Sequence, residues 1–73
     1  MNGRTRQLKE KVLDLWWEQD PEGYNVLWHP QRTTNTMYEA LRYHDAELFQ
    51  QLLEEAMKSM GILPHREHYY INL

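Results

Sequence analysis

The sequence predicts a mainly α fold: a compact three-helix domain with a short extended segment or a minor two-stranded pairing. Three observations lead there. Apolar residues recur at three-to-four spacing in two separate stretches, Leu8 to Trp16 and Phe49 to Met60. Pro and Gly punctuate the chain where those stretches end, at Pro21 and Gly23 and again at Gly61 and Pro64. The one alternating stretch, Tyr24 to Trp28, is too short to form a sheet without a partner.

The first helix begins at Thr5, a suitable N-cap, and places Leu8, Val12, Leu15 and Trp16 on one face. It ends near Gln19, because Pro21 disfavours helix in the residue before it and Gly23 permits a backbone reversal. Asp20-Pro21-Glu22-Gly23 therefore reads as a turn. In Tyr24-Asn25-Val26-Leu27-Trp28 the large residues at 24, 26 and 28 alternate, the period of a strand with one buried face. Its candidate partner is Tyr69-Tyr70-Ile71; without that pairing the segment lies extended over the helices.

After a polar linker, Gln31 to Asn35, residues Thr36 and Glu39 have the spacing of a capping box, which starts a helix at Met37 and carries it to about Tyr43. Asp45 is a second N-cap, and Phe49, Leu52, Leu53, Ala56, Met57 and Met60 follow on one helical face. Residues 37–60 form either one bent helix or two jointed near His44, and the second N-cap favours two. Gly61 suits the C′ position of the last helix, and Pro64 prevents a restart. The whole chain, residues 1–73, reads as one domain, with 1–5 and 65–73 its least anchored parts.

Composition narrows the function classes. With 41% hydrophobic, 12% aromatic and 26% charged residues, the chain has the balance of a globular domain. It has no Cys, so neither disulfides nor thiolate zinc sites can reinforce the small core, and the three Trp, five Tyr and one Phe must supply it. Neither a secretory signal nor a transmembrane run is legible, and a cytoplasmic location is expected. Net charge is minus 3, which argues against a general nucleic-acid binder. The charge is uneven, however. Residues 1–11 carry Arg4, Arg6, Lys9 and Lys11 against Glu10 alone, whereas residues 12–23 carry Asp14, Glu18, Asp20 and Glu22 and no base.

Chemistry-bearing patterns are weak. His65 and His68 have a spacing found in some metal sites but lack a legible third ligand, so no metal or cofactor is expected. Ser59 has no nucleophile-elbow surroundings, and glycines at 3, 23 and 61 form no phosphate loop. The acids Glu47, Glu54 and Glu55 point away from the Phe49 stripe, which leaves them solvated and makes the last helix too acidic to read DNA. No catalytic residue is assigned and no enzymatic activity is expected.

A protein-binding surface is the remaining reading. At about 100° per residue, Arg6, Leu13 and Trp17 fall on a flank of the first helix outside its main apolar arc. Coverage by the aromatic segment or the tail would make them ordinary core; exposure would make them an anchor, since Trp and Arg are enriched at interface hot spots. Arg4 and Arg6 would then steer an acidic partner surface. The candidate protein-binding residues are Arg4, Arg6, Leu13 and Trp17.

The opening Met-Asn-Gly-Arg-Thr-Arg-Gln-Leu, the Trp16-Trp17 pair and the 73-residue length resemble the small RNA polymerase-binding transcription regulators of lytic phages, of the type encoded by Xanthomonas-infecting phages. The resemblance implies a protein that binds the amino-terminal region of the largest (β′) subunit near the RNA exit channel, in the host cytoplasm. There it would inhibit initiation and suppress termination. Separately from the resemblance, a monomer without direct sequence-specific nucleic-acid contacts or membrane attachment is expected. The alternative is an inhibitor of another host or defence nucleic-acid enzyme that acts through the acidic helix 45–60.

Overall fold

Residues 3–62 are described by a computed structural model, and they form four helices: α1 (Gly3–Gln19), α2 (Pro21–Leu27), α3 (Thr34–His44) and α4 (Ala46–Ser59). The mainly helical expectation holds, with one more helix than the sequence reading proposed. Among the described residues there is no strand. The proposed pairing partner, Tyr69-Tyr70-Ile71, lies outside them, as do His65, His68 and the remainder of the 65–73 tail.

The fourth helix replaces the extended segment expected from Tyr24 to Trp28. Asp20, read as part of a turn, is an N-cap whose Oδ1 accepts from the Gly23 N–H at 3.1 Å, and Pro21 occupies the first helical turn. Proline at that position lacks only an N–H that the helix would leave unpaired anyway. The alternation at 24, 26 and 28 was misleading because Val26 faces solvent, whereas Tyr24 and Leu27, three residues apart, share the face that packs on the core.

The third helix also begins earlier than expected. Thr33, not Thr36, is its N-cap, accepting from the Thr36 N–H at 3.2 Å, so α3 starts at Thr34 rather than Met37. Glu39 is not part of a capping box; it pairs with Arg42 at 3.7 Å. Asp45 does separate two helices, as its carboxylate caps α4 through the Leu48 N–H at 3.1 Å.

The core contains Val12, Leu13 and Trp16 from α1, Met37, Tyr38 and Leu41 from α3, and Phe49, Leu52, Leu53, Ala56 and Met57 from α4. Helix α4 supplies the deepest stripe and packs most extensively on α1. Tyr38 and Phe49 join α3 to α4 edge-to-face, with ring centroids 5.0 Å apart. Among the described helices, the short α2 packs on α1 and α3 but not on α4. It acts as a flap over the Leu13 flank of α1, the coverage by the aromatic segment that makes Leu13 part of the core.

Helix α4 ends in a Schellman motif: Ile62 N–H donates to the Met57 carbonyl at 2.8 Å, Gly61 N–H to that of Lys58 at 3.1 Å, and Ile62 packs on the core. Gly61 has φ +72°, in the left-handed region, and a Cβ built there would meet nothing within 4 Å. A Gly61→Ala substitution should therefore act through the backbone alone and destabilise by about 1 kcal/mol. A melt should show this as a fall of roughly 4–8 °C. Gly61→Asn should lose less, because Asn tolerates that conformation better.

Candidate functional site

The four proposed binding residues all lie on α1, but the structure brings only Leu13 and Trp17 together and leaves Arg4 and Arg6 apart from them. Arg4 is exposed and, nine residues before Leu13, lies about half a turn of the helix away from it. Arg6 is exposed and pairs with Glu10 at 3.2 Å. It lines a recess of about 280 Å³ with Lys9, Thr33, Thr34 and Asn35, two turns of α1 from Leu13. Lys9 is engaged in that recess: its ammonium donates to Asn35 and lies 5.1 Å from the Tyr38 ring centroid.

Leu13 requires the main correction. It is only 9% exposed and belongs to the core beside Val12 and Trp16, whereas Leu15, assigned to the core arc, is half-buried. The buried face of α1 is rotated toward Leu13 because α3 packs on the Lys9 side and α2 folds back along the same flank. That approach is a tertiary fact, and helical periodicity carries no signal for it.

Trp17, by contrast, is 50% exposed, and Trp28, which the sequence reading did not select, is 51% exposed. The two line an open groove of about 440 Å³ together with Leu13, Asp14, Tyr24 and Asn25. Leu13 thus forms part of the floor while its bulk is core. The groove is built by the hinge between α1 and α2. Asp20 N–H closes α1 on the Trp16 carbonyl at 2.8 Å, the Asp20 cap starts α2 within one residue, and the reversal brings Tyr24 back over α1.

Tyr24 then meets Trp16 and Trp17 edge-to-face, with centroids 5.2 and 5.4 Å away. The Trp28 N–H donates to the Tyr24 carbonyl at 2.9 Å, fixing the second tryptophan at the C-cap of α2. Behind it, the Arg32 guanidinium donates to the Leu27 carbonyl and secures the loop. The signal that could have revealed Trp28 was the Asp20-Pro21 helix start: on a helix, Tyr24 and Trp28 are four residues apart and fall on one side.

Other chemistry is sparse. Among the described residues, no group of three His, Cys, Asp or Glu side chains is placed to hold a metal ion, and no helix is long and apolar enough to cross a membrane. His29, exposed, accepts from the Gln31 N–H at 3.1 Å and so braces the α2–α3 loop. On α4, Glu55 accepts from Gln19 at 2.7 Å, tying the ends of α1 and α4 together, and Glu54 is half-buried. Comparisons with protein-family models, with curated proteins and with solved structures found nothing that matches this chain.

Proposed function

We propose that this chain is a monomeric, non-catalytic regulator that binds another protein through the groove lined by Trp17 and Trp28. The observation that carries the reading is the pair of half-exposed indoles in one preformed groove. Large aromatics left open on so small a domain mark contact surfaces, and tryptophan is the residue most enriched among interface hot spots. The Tyr24 contact positions the Trp17 ring and the α2 cap positions the backbone at Trp28, which lowers the ordering cost of docking.

The partner follows from the resemblance described above: bacterial RNA polymerase, at the amino-terminal region of the largest subunit near the RNA exit channel, in the bacterial cytoplasm. Binding there inhibits initiation and suppresses termination by favouring one state of the larger machine over others. Arg6 and Arg4, distant from the groove along α1, act as peripheral steering charges.

Capture of purified polymerase by the immobilised chain tests the reading. Trp17→Ala should weaken capture about tenfold, equivalent to roughly 1.4 kcal/mol, with the circular dichroism spectrum retained. Arg6→Ala should have a smaller effect that disappears at high salt. Full capture by folded Trp17→Ala and Trp28→Ala variants would remove the groove from the interface. Nucleic-acid mimicry by α4 is less well supported, because Glu55 is engaged by Gln19 and Glu54 is half-buried. Charge reversal at Glu47, Glu54 and Glu55 should leave polymerase capture intact.

A further inference from the structure

The groove has a chemical preference that the docking role alone does not require. Its one charged lining residue is Asp14, an exposed carboxylate one turn from Trp17 and in the same groove as both indoles. Among the described residues, the ion pairs are Arg6 with Glu10 and Arg42 with Glu39, and neither engages Asp14. The surrounding sequence from residue 12 to 23 adds Glu18, Asp20 and Glu22 and no base. Asp20 is occupied in capping Gly23, whereas Glu18 and Glu22 are exposed. Lys11, three residues before Asp14 on α1, forms no ion pair with it among the described residues, and the next bases along the chain are directed elsewhere: Arg32 to the Leu27 carbonyl, and Lys9 to Asn35 and the face of Tyr38.

Indole rings that line a groove together with a carboxylate are complementary to a cation. An indole attracts a positive charge to its face, and the attraction is stronger for tryptophan than for tyrosine or phenylalanine. Of the two common cationic side chains, arginine fits better. Its planar guanidinium stacks on an aromatic face while its edge donates to a carboxylate, and it is less strongly hydrated than an ammonium group. The Asn25 side chain at the groove wall offers a further acceptor for the remaining N–H groups.

We infer that the Trp17–Trp28 groove is an arginine receptor: it takes an arginine side chain from a basic segment of the partner protein, with the guanidinium against the indoles and donating to Asp14. The inference rests on the docking reading above and specifies the chemistry of the segment that enters the groove. It also divides the surface of the protein. The basic end of α1 meets acidic ground on the partner while the acidic hinge receives a base, so docking in the reversed orientation would set like charges against each other.

The test uses the whole 73-residue chain labelled with ¹⁵N and follows its three tryptophan indole N–H signals by nuclear magnetic resonance. Trp16, fully buried, serves as the internal reference. A blocked Gly-Arg-Gly peptide should shift the Trp17 and Trp28 signals in a saturable way and leave Trp16 nearly unmoved. The matching citrulline peptide, equal in shape but uncharged, should leave all three in place, and Asp14→Asn should weaken the arginine peptide about fivefold.

Equal shifts with citrulline, or unaltered binding by Asp14→Asn, would overturn the inference. So would movement of the Trp28 signal on dilution of the peptide-free chain, which would put a second copy in the groove. A shift in the same signal on Arg66→Ala alone would place this chain's own terminal segment there and likewise overturn it. Polymerase capture separates the two levels. If Trp28→Ala abolishes capture while the arginine peptide fails to bind, the docking surface stands and its arginine preference falls.

Discussion

Trp16→Ala should leave the domain largely unfolded at 37 °C. Trp16 is the largest fully buried side chain, and it lies where all the layers meet: on α1, which packs against α3 and α4, and under Tyr24 of α2. Truncating a buried tryptophan to alanine removes about 3–5 kcal/mol through lost burial and the cavity left behind. A domain of this size has total stability on the order of 5 kcal/mol, so the loss is comparable to the whole. A thermal melt should show the midpoint lowered by roughly 15 °C or more, or no cooperative transition.

Trp16→Phe should be far milder. It preserves an aromatic contact for Tyr24 and removes the Trp16 indole N–H, which is buried with no hydrogen-bond partner among the described residues. A midpoint for Trp16→Ala within a few degrees of the parent would mean that the core is organised around the α3–α4 contact instead.

Leu13→Ala and Trp17→Ala should separate folding from binding, although the two residues lie one turn apart on the same flank of α1. Leu13 is buried among the core residues, so its truncation should destabilise by about 2–4 kcal/mol. Trp17 is half-exposed and its described ring contact is the edge of Tyr24, so its truncation should stay within about 1.5 kcal/mol. Urea titration should therefore give a much lower midpoint for Leu13→Ala and a near-parental one for Trp17→Ala. Partner capture should fall in both, but only in Leu13→Ala in proportion to the unfolded fraction. Were the two midpoints to shift equally, Trp17 would belong to the core rather than to the groove.

The sequence by itself determined the helical class, the end of α1, the Asp45 boundary and the whole of α4. These depend on short-range physics. Periodic apolar residues at 49, 52, 53, 56 and 57 must share one face of a helix, Asp45 can cap only what directly follows it, and Gly61 is the residue that adopts a left-handed conformation without strain. The misread segment, Tyr24 to Trp28, is short enough for a period of two and a helical spacing to coexist. The Asp20 cap and the burial of Tyr24 and Leu27 against α1 and α3 resolved it as helix.

The groove was half legible. Trp17 was identifiable from its angular position on α1, but helical geometry leaves open which flank a neighbouring element will cover. The tertiary structure decided that Leu13 went inward while Trp17 stayed half open, and that Trp28 stood beside it with Asp14 in the same groove. The physical reason is the α1–α2 reversal at Asp20. A single capped hinge folds a seven-residue helix back over one side of α1, burying what lies beneath it and leaving its far edge as a groove.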